Sequence, residues 1–150
     1  MPGAVRGRLQ SQRVDGHVGI NSIEHFIGNW ALAAGWNFRS RRASGKRVAV
    51  VGGGPAGLSA AYQLRRRGHA VTVFDDHDAL SGMARFGIPG FRTPRAVLDG
   101  EINRILAMGV DLALKTQVGR DITIAQLEKD FDAIFGARHP SRPRPDAARF

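Results

Sequence analysis

Apolar positions along the chain follow two rhythms, and their alternation predicts the elements. Val48 to Val51 is an unbroken apolar, β-branched run, suited to a strand buried on both faces, and Ala70-Val-Thr-Val-Phe74 is a second. Between them Pro55 to Arg67 carries Ala, Leu and Tyr at helical spacing, and Arg65-Arg66-Arg67-Gly68 closes that helix with cations at its negative end and a glycine beyond. Earlier in the chain Ile23, Phe26, Ile27, Trp30, Ala31 and Ala34 form one stripe, predicting a helix over 21–34. Asn21 or Ser22 would cap it, Glu24 would lie in its first turn, and Gly35 would end it. Later, Pro94 opens a helix over 95–108 with Val97, Leu98, Ile102, Ile105 and Leu106 inward, and Gly109 ends it. Val110 to Val118 alternates as a strand, Asp121 or Thr123 caps a short helix through Lys129, and Asp132 to Phe135 starts another strand.

Three segments lack a rhythm. Residues 1–20 are basic, glycine-containing and read as a flexible terminus, and 36–46 read as a linker with Trp36 and Phe38 as anchors. The stretch from Met83 to Pro94 holds prolines and glycines that forbid regular structure, yet carries Phe86, Ile88 and Phe91, the mark of a loop that covers something or is covered. From Gly136 to Phe150 three prolines and four arginines end any core pattern, so the sheet is expected not to continue there. No internal repeat is present. The order of elements predicts an α/β fold with a parallel sheet, Val48–Val51 central, Val71–Phe74 on one side, Asp132–Phe135 on the other, and the 21–34 helix packed outside.

The junction of the first strand and its helix reads Gly52-Gly-Gly54-Pro55-Ala56-Gly57-Leu58, a G-x-G-x-x-G turn. Gly52 permits the sharp turn, Gly54 lets a pyrophosphate approach the backbone, and Gly57 lets helix and strand pack closely. Unpaired amides and the positive end of the helix dipole attract phosphates. Alone this pattern is weak. It gains weight from Asp75, which ends the second strand eighteen positions after Gly57 and would accept hydrogen bonds from the ribose of an adenosine.

Composition changes the picture little. The 150 residues make one domain's worth of chain, and there is no cysteine, so disulfides, thiolate catalysis and cysteine-ligated clusters are excluded within it. No apolar run approaches a membrane span and no secretory signal is visible, so a cytoplasmic protein is expected. The formal charge of +9 divides into +6 over residues 1–47, zero over 48–135 and +3 over 136–150. A neutral body with basic flanks argues against a nucleic-acid surface. The five histidines show no ligand spacing, Asp76 and Asp78 read as solvent-facing, and no metal site or catalytic acid–base pair is expected.

Residues 16–135 resemble the glutamate synthase small (beta) subunit and its relatives, including the N-terminal flavin region of dihydropyrimidine dehydrogenase. The match is carried by Val18-Gly-Ile-Asn-Ser-Ile-Glu-His-Phe-Ile27, Val50 to Leu58, Arg85-Phe-Gly-Ile-Pro-Gly-Phe-Arg92 and Gly109-Val-Asp-Leu112. The resemblance implies an FAD- and NAD(P)H-dependent oxidoreductase whose first nucleotide-binding unit holds the ADP half of FAD. It implies pyrophosphate contacts from Gly54, Pro55, Ala56, Gly57 and Leu58 below Gly52, a ribose contact from Asp75, and further contacts from the Gly82-Met83 turn. It also implies a cationic contact from Arg92, a backbone contact to adenine from Val118, and no catalytic side chain, since the isoalloxazine carries the hydride and electrons. On this reading residues 21–46 are a remnant of the family's iron–sulfur helical region, 47–135 a partial Rossmann-like FAD-binding domain, and 136–150 a disordered tail. The family's cluster-ligating cysteines have no equivalent near Val5 and Leu9, Ser81 stands where a glycine is usual, and the second, NADPH-binding domain does not follow Phe135. A truncated or frame-shifted product explains both ends, with weak FAD affinity and little NADPH oxidation expected. An iron–sulfur or catalytic large subunit is the implied partner. A non-catalytic NAD- or ADP-binding module is the alternative, and a basic RNA-binding protein a third reading.

Overall fold

In a computed structural model, residues 19–137 are described. Most of the basic terminus, with Val5 and Leu9, and nearly all of the Arg/Pro tail therefore lie outside the described residues. The chain divides into two compact units, Met1–Trp36 and Asn37–Phe150.

In the first unit, α1 spans Ile20–Ala33. Gly19 is its N-cap and no side chain caps it, so Asn21 and Ser22 lie inside the first turn instead of before it, and Glu24 falls beyond that turn. The C-terminus follows the glycine rule. Gly35, at φ +66°, donates to Leu32 O, and the Trp36 amide donates to Ala31 O, which together make a Schellman motif. Trp36 folds back edge-on to Trp30 at 5.1 Å. On the apolar stripe Ile23, Phe26, Ile27 and Trp30 each keep more than half of their surface exposed, and Ala31 is buried.

The second unit holds β1 (Arg47–Val51), α2 (Pro55–Arg66), β2 (Ala70–Phe74), α3 (Met83–Phe86), α4 (Arg95–Leu106), β3 (Val110–Ala113), α5 (Ile124–Asp130) and β4 (Ala133–Gly136). The four strands form one parallel sheet in the order β3-β2-β1-β4, so β1 is central with β2 and β4 beside it. Alternation along the strands divides the core. Val50, Val71 and Val73 face Leu58 and Ala61 of α2 and Ile102 of α4, while Ala49 and Phe74 face Leu127 of α5 on the opposite side. Helices on both faces of a parallel sheet make this a Rossmann-like α/β arrangement, which fixes the crevice at the carboxyl ends of the strands as the place for a site.

Phe38 anchors the segment before β1. Tyr62 of α2 lies edge-on to it at 4.6 Å and the Arg104 guanidinium of α4 sits 4.4 Å above its ring. The backbone then runs along the end of α2, with Arg41 N donating to Arg66 O and Ser44 N to Gly68 O. Lys46 and the Arg47 amide both bind the Asp132 carboxylate, tying the starts of β1 and β4 together. Thr123, not Asp121, caps α5 in a reciprocal pair with Gln126.

Several elements depart from the pattern reading. β3 stops at Ala113 instead of Val118, because the chain turns at Lys115 (φ +52°) and Val118 pairs only in an isolated bridge with Ile122. Residues 83–86 form one helical turn where no regular structure was expected. The sheet continues through Gly136, whose neighbour Ala137 donates to Val51 O at 2.8 Å: an alanine and glycine suffice to prolong a parallel ladder before the first proline. Val97 on α4 remains exposed instead of facing inward, as do Phe86, Ile88 and Phe91 in the loop before it.

Ser81, which stands where a glycine is usual, is buried at φ +92° with its amide donating to Gly53 O at 2.7 Å, so the turn is held in a strained conformation. An L-residue held there costs about 1–2 kcal/mol. Ser81→Gly is expected to raise the unfolding free energy by about 1 kcal/mol, the greater freedom of unfolded glycine cancelling part of the gain. A urea midpoint no higher than that of the unmodified protein would show the turn to be unstrained.

Candidate functional site

The crevice at the end of β1 is built by a loop whose glycines have separate tasks. Gly52 turns the chain at φ +108° while its amide donates to Phe74 O of β2. A Cβ on Gly57 would lie 1.8 Å from Gly52 O, so the first turn of α2 rests directly on the end of β1. Gly54 differs. Its φ of −72° and ψ of −175° suit any residue, and a Cβ there would meet nothing within 4 Å, because that side of the loop faces open space. Gly54 is the N-cap of α2, Pro55 follows it, and no side chain caps the helix, so its first amides and the positive end of its dipole are presented to the crevice.

That space is a cavity of about 690 Å³, in the range of small-molecule sites. Gly52, Gly54, Pro55 and Ala56 form one wall, Asp75, Asp76 and His77 a second, and Gly82, Met83 and Phe86 a rim, with Ala137 beside them. Gly57 and Leu58 lie buried beneath the loop and support it without lining the cavity. Val118 is on the other side of Asp75, in a narrow hollow of about 30 Å³ shared with Val51, Phe74 and Thr116, room for one or two waters. Arg92 does not reach the cavity wall; it is exposed, in a turn where its amide donates to Pro89 O.

Asp75 is a junction. One carboxylate oxygen accepts from Gly53 N at 2.6 Å, fastening the glycine loop to β2, and the other accepts from the His77 amide and Nδ1, both at 2.9 Å. Its side chain is 10% exposed. Burial pushes its carboxyl up, but the His77 and Gly53 amides and the His77 ring outweigh burial and hold it below the usual carboxylate range. The hydrogen bond to Asp75 raises His77, burial opposes it, and the charges of Asp76 and Asp75 add to the rise. The His77 ring also stacks on Phe86, centroids 5.0 Å apart. For Asp75, depressed in the fold, the stabilisation is present above its unfolded pKa and lost as pH falls through the folded one. For His77, raised in the fold, it is complete below the unfolded pKa and lost as pH rises. The pair is therefore strongest in mild acid, roughly pH 5 to 6.5.

Asp75, Asp76 and His77 bring potential ligand atoms within 4.8 Å of one another. Nδ1 lies at hydrogen-bond distance from both carboxylates and Asp75 also holds the Gly53 amide, so these atoms satisfy one another as donors and acceptors, and a metal is not needed to explain them. Sequence reasoning passed over Asp76, His77 and Phe86 as parts of the site. The signal available was position: Asp-Asp-His immediately follows a strand's carboxyl end, where ligands of parallel sheets bind.

Residues 50–105 match the family described as NAD(P)-binding Rossmann-like domain. The beta subunit of the NADP(+)-dependent formate dehydrogenase of Moorella thermoacetica is 50% identical over 112 residues, which cover 73% of this chain and 16% of that subunit. The small chain of the NADPH glutamate synthase of Escherichia coli (strain K12) is 38% identical over 122 residues, covering 80% of this chain and 26% of the relative. Among solved structures, Mycobacterium tuberculosis FprA in complex with NADPH matches with a TM-score of 0.57 at 19% identity, over 71% of this chain and 26% of that one, a likeness of fold alone. The chain thus spans about a sixth to a quarter of the length of these proteins. Among the described residues no helix is long and apolar enough to cross a membrane.

Proposed function

We propose, because this chain belongs with the glutamate synthase small chains and related oxidoreductases and carries their NAD(P)-binding Rossmann-like domain, that it is the FAD-binding portion of an NAD(P)H-dependent flavoprotein. The ADP half of FAD rests on the Gly52–Gly57 loop. The observation that carries this reading is the bare side of Gly54 at the uncapped start of α2: a cradle that a Cβ would partly fill, with the positive end of a dipole behind it. The residues present fit a diphosphate there. Asp75 ends β2 on the same cavity, where it approaches a ribose, and Gly82 and Met83 close the opposite rim. Val118 lies toward the adenine end, beyond Asp75, and Arg92 approaches the flavin cofactor only if its turn swings toward the cavity.

When bound, the isoalloxazine supplies hydride and electron transfer, so this chain contributes binding and orientation and no acid or base. Its Met83 and Phe86 are exposed at the rim, at 74% and 54%, and leave the ring system poorly enclosed. The hydride donor has no site of its own among these elements, and an unpositioned donor reacts slowly. The isolated chain therefore binds FAD weakly and turns over NADPH little or not at all. A partner supplying iron–sulfur centres or a large catalytic chain completes the electron path. Two of the related proteins are themselves named as a subunit or a small chain, which supports this assignment.

Purified protein titrated with FAD is expected to bind it with quenching of flavin fluorescence, while NADPH-dependent dye reduction stays near background. Robust dye reduction by the 150-residue chain would overturn the claim of low turnover. A protein stabilised against heat by NAD or ADP and indifferent to FAD would instead support the non-catalytic nucleotide-binding module, which the matching family description favours.

A further inference from the structure

Three features of the crevice concern His77, which none of the preceding roles uses. The two oxygens of Asp75 are taken: one by the Gly53 amide of the phosphate loop, the other by the amide and Nδ1 of His77. Of these donors, the imidazole alone is a side chain able to leave, and it is 53% exposed on the cavity wall. Phe86 stacks on its ring from the rim, centroids 5.0 Å apart.

We propose that His77 is a specificity-determining residue of the nucleotide site: its imidazole occupies the Asp75 oxygen that a ribose hydroxyl needs, and nucleotide entry requires the ring to give up that contact. This rests on the assignment of the crevice to an adenine dinucleotide. A ribose that displaces the ring exchanges one hydrogen bond for another, and the cost of the exchange depends on the charge of the imidazole. The protonated ring is held by a charge-assisted bond to Asp75 and by Asp76, also 2.9 Å away, whereas the neutral ring keeps only an ordinary hydrogen bond. The other groups facing this site do not replace that cation. Lys115, in the turn after β3, approaches through its backbone amide, which donates to His77 O. Arg120, beyond it, binds Asp121 and acts on Asp76 only at longer range. Arg85 of α3 is directed to Leu80 O and Asp99. Binding is therefore coupled to loss of a proton from His77 to solvent, and by linkage a bound nucleotide must lower the pH at which that ring titrates.

FAD is a suitable probe because its diphosphate is a diester with no phosphate proton to lose in the range where histidine titrates, whereas the terminal phosphate of ADP does titrate there. Calorimetric titration of the full chain with FAD is expected to give an affinity about three- to fivefold higher near pH 8.5 than near pH 5.5, the modest factor that a half-exposed ion pair allows. His77→Phe keeps an aromatic ring against Phe86 and removes the ring donor. It is expected to bind FAD at pH 5.5 as tightly as the unmodified protein does at pH 8.5, with no remaining dependence on pH. In NMR, the His77 ring of the unmodified protein should titrate at lower pH once FAD is saturating, a measurement that needs no variant to fold. Binding of FAD with the same affinity at both pH values, or an unmoved His77 titration, overturns the role of His77 and leaves the nucleotide site standing. No binding of FAD at either pH overturns the site itself.

Discussion

Gly57→Ala is expected to cost the fold about 3 kcal/mol or more, a large share of the stability of a domain this size. Its added methyl would lie 1.8 Å from Gly52 O and 3.3 Å from Val50 Cγ1, and the first of these is main chain, which no rotamer change relieves. To admit it, α2 must lift from β1, and Leu58 and Ala61 then lose contact with Val50, Val71 and Val73 in the larger core cluster. The check is a urea unfolding curve with far-UV circular dichroism: a midpoint within about 0.5 kcal/mol of the unmodified protein would refute the close packing that defines this turn.

Gly54→Val should do the opposite, sparing the fold and abolishing the ligand. The backbone there is ordinary extended chain and a Cβ meets no neighbour within 4 Å, so the expected cost is that of a poorer N-cap residue, about 1 kcal/mol. The new side chain would stand in the cavity in front of the α2 amides and hold a diphosphate away from the dipole. FAD affinity is expected to fall about thirtyfold or more, equivalent to losing about one hydrogen bond to charged oxygen. Retained affinity in a folded Gly54→Val protein would remove the phosphate cradle and, with it, the flavoprotein assignment. The two substitutions, three residues apart in one motif, thus separate a structural glycine from a ligand-binding one.

Much of the molecule could be read from periodicity. β2 begins and ends where the apolar run does, α2 and α4 start at the positions flagged by Pro55 and Pro94, and the parallel order around β1 follows from strand–helix–strand succession. The misreadings arose where local pattern competes with a non-local partner. Alternation from Leu114 to Val118 suggested strand, but there β3 has no further β2 to pair with, since β2 ends at Phe74 opposite Ala113. Gly136 carries no β signal, yet Val51 opposite it offers a ladder position that the backbone takes up. Apolar spacing in the 83–91 stretch also told that the segment meets something and not what: Met83 and Phe86 line the cavity while Ile88 and Phe91 stay exposed, because a pattern marks a face as apolar without naming what it covers.

The candidate site divides in the same way. Sequence by itself determined the strand–turn–helix, which glycine lies at each position of the turn, and that a carboxylate ends β2, because these depend on residues close along the chain and on steric limits local to each. Only the tertiary structure decided what those groups face. Gly54 looks onto open space while Gly57 is pressed on Gly52, and Asp75 divides its oxygens between the phosphate loop and His77, with Phe86 and Met83 brought from α3 to the rim. Those relations arise from β2 docking beside β1 and from the loop after β2 folding back over it. The spacing of residues along the chain fixes how far each can reach, and the packing of the sheet fixes which of them meet.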